Sequence, residues 1–287
     1  MKKIIFSLLG IAVIVIIAIT SCQKTDEVIN SNLKKMNFES YEKYGKIHND
    51  FLSYFKNEFV INPDITKLSE GIDYITQFYI NYAMRLDLSA DEKDNLIKSL
   101  EDYKRFLYTP DLYNELFVSE ESKGLYFESI TQAYKLGIID DFEFNSMNLI
   151  GQKAKDNHDG LISYEELKNI ILQIKNEWIA KGYSIESDKG HALAITLAIS
   201  LASIEWWEEN PDAFSDNQKN TKALPVWAAT DIVGAAVGAT MSAITSYATT
   251  GEVNWSAVGI NAVSGAVMGS TGAIAKGGQW LSSLFKK

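Results

Sequence analysis

Between Leu224 and Ala275 the chain carries only two charges, Asp231 and Glu252, and this stretch limits the folds open to it more than any other. Of the 51 residues from Ala228 to Gly278, 32 are Gly, Ala, Ser or Thr, side chains too small to build a wide core of their own. An internal glycine costs a water-exposed helix about 1 kcal/mol relative to alanine. Nine of the 18 glycines fall here, so helices in this segment must recover that cost by tight packing or in a membrane. Gly251-Glu252, preceded by Thr249-Thr250, divides it into two lengths suited to a helical hairpin. Gly234, Gly238, Ser242 and Ser246 fall four apart, as do Gly265, Gly269, Ala273 and Gly277, giving each helix a flat ridge that another backbone can approach. Such runs arise often by chance in a segment of this composition, so the composition is the stronger signal.

The remainder reads as helix throughout. From Leu33 to about Val60 apolar and aromatic residues recur at helical spacing, from Phe38 and Tyr41 to Phe55 and Phe59. Asn62-Pro63-Asp64 interrupts, because proline cannot continue a helix and forces its predecessor out of one. A second helix is expected from Ile65 to Leu86. Ser89-Ala90-Asp91-Glu92 has the form of a capping box opening a third, which runs to about Leu107 before Thr109-Pro110-Asp111. Further helical stretches reach about Ala154. Ala192 to Ile204 is uncharged but too short to span a bilayer, which suits a buried core helix. The acidic run that follows, Glu205, Glu208, Glu209, Asp212 and Asp216, reads as a solvated loop. With no alternating strand pattern and no repeat, the expected class is all-α: a helical domain with a Gly/Ala-rich C-terminal hairpin.

That hairpin resembles the glycine-zipper hairpins of membrane-active bacterial peptides and class II bacteriocins, a likeness of composition over about 60 residues. It implies a membrane-active effector. Trp227, Trp255 and Trp280 near the ends of the two stretches suit an interface, or else core packing against the helix at 192–204.

At the other end, Met1-Lys2-Lys3 precedes an uncharged run of 16 residues, Ile4 to Ile19, the form of a signal peptide. Ile19-Thr20-Ser21-Cys22 then resembles the lipobox of bacterial lipoproteins: an aliphatic residue and two small ones before the cysteine whose thiol accepts the lipid. The resemblance implies removal of residues 1–21 and acylation of Cys22. Cys22 is the only cysteine, so no intramolecular disulfide can form and acylation leaves no free thiol. Gln23 is not the aspartate that retains such proteins at the inner membrane. Lys24 ahead of Asp26-Glu27 resembles a surface-export signal, with Thr25 interposed. The implied place is the outer membrane, facing outward. The mature chain keeps 25 of the 27 basic residues against 37 acidic ones, a net charge of −12 that disfavours nucleic acid and anionic lipid as electrostatic partners.

Lys155 to Glu166 resembles an EF-hand calcium loop. With Lys155 at position 1, Asn157 and Asp159 fall at 3 and 5, Gly160 at 6, Ile162 at 8, Ser163 at 9 and Glu166 at 12. The resemblance implies oxygen ligands from Asn157, Asp159, Ser163 and Glu166 around a hard cation. Lys155 departs from it, since an ammonium stands where the cation needs a carboxylate; Asp156 is the nearest substitute. Two readings stand here: weak calcium binding of the extracellular kind, or a helix–loop–helix that keeps the turn without the metal.

No catalytic constellation emerges. His48, His158 and His191 are scattered without ligand spacing, no nucleophile elbow or phosphate loop is present, and acidic pairs such as Asp140-Asp141 and Glu165-Glu166 are expected at this acid content. The expected organisation is a signal peptide at 1–21, a tether at 22–32, a helical domain at 33–190, and the apolar helix with its hairpin at 191–287. The expected role is a lipid-anchored, non-enzymatic envelope protein that touches the membrane through Cys22 and a protein partner through the hairpin. Its rival is the bacteriocin-like effector. No cofactor is expected beyond calcium at the loop.

Overall fold

The computed structural model describes residues 34–61, 77, 80–108, 125–211, 213 and 226–276. The signal peptide, Cys22, the tether and Trp280 lie outside them. The described residues are all-α: a 3-10 turn at Phe38–Tyr41, then α1 (Glu42–Ile61), α2 (Ala90–Tyr108), α3 (Leu125–Lys135), α4 (Asp141–His158), α5 (Tyr164–Lys181), α6 (His191–Glu209), α7 (Val226–Thr250) and α8 (Trp255–Lys276). No cis peptide bond occurs among them.

Local chemistry sets most helix ends. Ser89 and Glu92 close the expected box ahead of α2, with Glu92 N donating to Ser89 Oγ (3.3 Å) and Ser89 N to Glu92 Oε2 (3.0 Å). Asp140 with Glu143, and Ser163 with Glu166, do the same for α4 and α5. Gly137 and Gly182, both left-handed, end α3 and α5. The first helix begins later than its apolar pattern suggests. Residues 34–36 are held extended against the 183–185 turn (Met36 N to Tyr183 O, 2.7 Å; Ile185 N to Lys34 O, 3.0 Å), and Asn37 caps a 3-10 turn before α1. The described end of the second expected helix is Ala83, short of Leu86, and its first half lies outside the described residues. α6 runs on to Glu209, so Glu205, Glu208 and Glu209 are exposed on its last turns rather than in a loop.

On α1, Tyr44, Ile47, His48, Phe51 and Leu52 are buried, the single stripe of an amphipathic helix. α6 differs: Ala192 to Ser200 are all buried, as are Ser203, Ile204, Trp206 and Trp207, so neighbours cover it on nearly every side. α7 packs along α8 and against α6, α3 and α4, while α8 also meets α2 and α1. One continuous core joins Met36 to Met268, so packing runs unbroken across residue 190, where the composition changes.

Candidate functional site

The glycines work at helix crossings. A Cβ on Gly234 would stand 2.2 Å from the Gly265 carbonyl oxygen, so α7 and α8 touch backbone to backbone at one member of each four-apart row. Asn261 Nδ2 donates to Ser242 Oγ (2.7 Å) further along the same seam. Gly259 of α8 receives the Tyr44 ring of α1, and Gly45 of α1 lies against Ala198 and Ala202 of α6. From Ala228 to Thr240 every residue of α7 is buried. Among the described side chains, those the hairpin exposes lie mainly at its tip, around Tyr247, Gly251 and Glu252. Of the three tryptophans, Trp255 is half-buried, stacked on His191 (4.7 Å, 13°) with its N–H on Asp188 (3.1 Å). It serves core packing.

Asp231, one of the two charges of the hairpin segment, is fully buried. Its Oδ2 accepts from Ser203 Oγ (2.7 Å) and Trp207 Nε1 (2.9 Å), both on α6, and His48 Nε2 of α1 lies 3.4 Å from it. Asn49 Nδ2 donates to Ala202 O (2.8 Å), which turns Asn49 Oδ1 toward His48 Nδ1 (3.0 Å). Asp231 Oδ1 and His48 Nε2 have no hydrogen-bond partner among the described residues. Serine, histidine and aspartate meet here, but in an order unlike a hydrolase triad: the carboxylate sits between the other two. His48, Ser203 and Asp231 are each 0% exposed. The centre ties helices together.

A second polar junction lies at the start of α6, whose N-cap, Gly190, has no side chain to offer. Glu143 of α4 supplies one: Leu193 N donates to its Oε1 (3.4 Å) while Asp140 N donates to its Oε2 (3.1 Å). Burial raises the Glu143 carboxyl to about 7, opposed by backbone N–H groups led by that of Gly190. Beside it, burial lowers the His191 imidazole to about 4, and Tyr41 Oη lies 2.7 Å from its Nδ1. Sequence reasoning missed both centres. Asp140-x-x-Glu143 has the same capping-box form as Ser89-x-x-Glu92, and that signal was there to be read.

In the EF-hand-like segment, positions 1 to 4, Lys155 to His158, are the last turn of α4. Gly160 takes the left-handed turn at φ +72°. Lys155 Nζ pairs with Asp159 Oδ2, so the ammonium meets a carboxylate intended for a metal. Asn157 is buried and donates to Ile162 O (3.1 Å). Glu166 and Ser163 are joined to each other as the cap of α5, and hydrogen bonds from Ser163 hold the Glu166 carboxyl below its ordinary range. Asp156 is turned to Lys153 and Gln152 (2.8 Å each), which lower it likewise. The four expected ligands thus have separate partners: Asp159 pairs with Lys155, Asn157 bonds Ile162 O, and Ser163 and Glu166 join each other. Among the described residues no group of three or more His, Cys, Asp or Glu side chains could hold a metal ion. One member of each acidic pair takes part in capping: Asp140 is the N-cap of α4, and Glu166 completes the Ser163 box of α5.

Comparison with known proteins finds no family model, no curated protein and no solved structure that matches this chain.

Proposed function

We propose that this chain is a lipid-anchored cell-envelope protein, held at the outer membrane by acyl chains on Cys22 and acting by protein interaction rather than catalysis. The observation that carries the reading is the burial of the hairpin. α7 is the one described helix long and apolar enough to cross a membrane, yet 78% of its apolar window lies inside the protein. A hairpin so engaged serves as core, and lipid is left as the membrane attachment. A partner reached through the hairpin would meet its tip, from Thr245 to Asn254. The helix–turn–helix at 155–166 keeps its shape through the Lys155–Asp159 pair and the Ser163–Glu166 cap, without a cation.

The length and apolarity of α7 also favour a second reading, a membrane-active effector of the bacteriocin kind. In that case the described state is a resting one and the hairpin leaves it to act.

The experiment for the anchor is metabolic labelling. Cells fed a labelled fatty acid should label the wild-type chain and not Cys22→Ala. Label on the alanine variant removes the anchor from the account.

A further inference from the structure

α7 and α8 pair with each other more extensively than either does with any other single helix. Gly234 meets the Gly265 backbone and Asn261 bonds Ser242, so the two helices are joined directly to each other. By contrast, the one ionisable side chain in the buried length of α7 faces away from α8. Asp231 takes its two hydrogen bonds from Ser203 and Trp207 of α6 and its histidine from α1. All four residues are at least nine-tenths buried. Such a centre is worth little as net stability, since desolvation offsets the attraction, but it is costly to break from one side. It is therefore strongest as a device that fixes which surfaces pair.

We propose that Asp231, with Ser203, Trp207 and His48, is a latch holding a preformed apolar hairpin against α1 and α6, an internal contact that keeps α7 out of the membrane. It rests on the second reading above, in which the packed hairpin is a resting state that the hairpin leaves to act. When the latch is broken from one side, the self-paired hairpin swings out as a unit and meets lipid.

The test uses the full mature chain carrying Cys22→Ala, mixed with uncharged phosphatidylethanolamine–phosphatidylcholine vesicles loaded with carboxyfluorescein. The parent should leave the vesicles sealed. So should Asp231→Asn, whose amide oxygen accepts from the same two donors. Asp231→Leu, and separately Ser203→Ala combined with Trp207→Phe, should release dye at much lower protein concentration. The expected rise in the open population is roughly tenfold to a hundredfold, the equilibrium equivalent of leaving buried hydrogen-bonding groups without partners. Ile171→Ala, a cavity on α5 remote from the latch, is the control for lost stability; Ile171 is fully buried, and α5 packs on α4 and α6. Should Asp231→Leu not fold, the Ser203/Trp207 pair is judged against that control in its place. If the latch variants release no more dye than Ile171→Ala at matched melting temperature, the latch is overturned while the packed hairpin stands. If the parent itself empties the vesicles, the resting-state reading fails and the latch with it.

Discussion

Glu143 and His191 meet at the start of α6, and their titrations push stability in opposite directions. Glu143 is raised from 4.5 to about 7, so the folded chain holds its proton where the unfolded chain has lost it. Its contribution is fully present below pH 4.5 and is lost as pH rises through 7, a swing of about 3 kcal/mol at 1.36 kcal/mol per unit. His191 is lowered from 6.5 to about 4, so stability from that group rises with pH between those values. Between pH 4.5 and 6.5 the two oppose. Urea midpoints should therefore fall with pH from 4.5 to 7 in His191→Phe, whereas in Glu143→Gln they should rise from pH 4 to 6.5. Matching slopes in the two variants would show that the junction is misassigned. At the turn, Lys155 acts as an internal cation for Asp159. Titration calorimetry should give the wild type no calcium affinity tighter than the millimolar range, and Lys155→Asp should tighten binding. Wild-type affinity in the micromolar range or tighter, the range of sensor loops, would contradict the assignment.

At the scale of elements, the α7–α8 crossing turns on Gly234. Alanine there gains about 1 kcal/mol of helix propensity, but its Cβ would lie 2.2 Å from the Gly265 carbonyl oxygen, backbone that must shift. Overpacking of this kind costs about 1–3 kcal/mol and wins. Gly234→Ala should lower the thermal midpoint, and a midpoint at or above the parent's would mean that the hairpin is not closed at this residue. These elements differ in how far the sequence exposes them. The hairpin, its division at Gly251-Glu252, the buried helix at 192–204 and the Ser89–Glu92 cap were legible, because each is written in consecutive residues. Gly45 was not. It is a lone glycine in an aromatic-rich helix, and its role depends on Ala198 and Ala202 coming to it. The Asp231 centre was hidden for the same reason: Ser203 and His48 come from other helices, and no local pattern marks their meeting. The late start of α1 was equally invisible, since it depends on a turn at 183–185 that pins residues 34–36.

Taken whole, the molecule turns the usual relation of composition to boundary around. The sequence changes character near residue 190, yet a single core crosses that point, and α6 to α8 are the centre on which the amphipathic helices lie. Energetics favour that arrangement over a membrane hairpin. On an insertion scale Ile232, Val233, Val237 and Ile244 together contribute about −1 to −2 kcal/mol at a helix centre, against small polar residues that add little. Ile232, Val233 and Val237 are buried within the protein instead, and full burial of each side chain contributes about 1.5–3 kcal/mol. The protein interior is the better solvent for α7. Lipid on Cys22 should then be what binds this chain to the membrane, and carbonate extraction of membranes from cells expressing the wild type and Cys22→Ala checks this. Wild type is expected in the pellet and Cys22→Ala in the wash; Cys22→Ala remaining in the pellet would show the hairpin embedded in lipid and overturn the packed-hairpin reading.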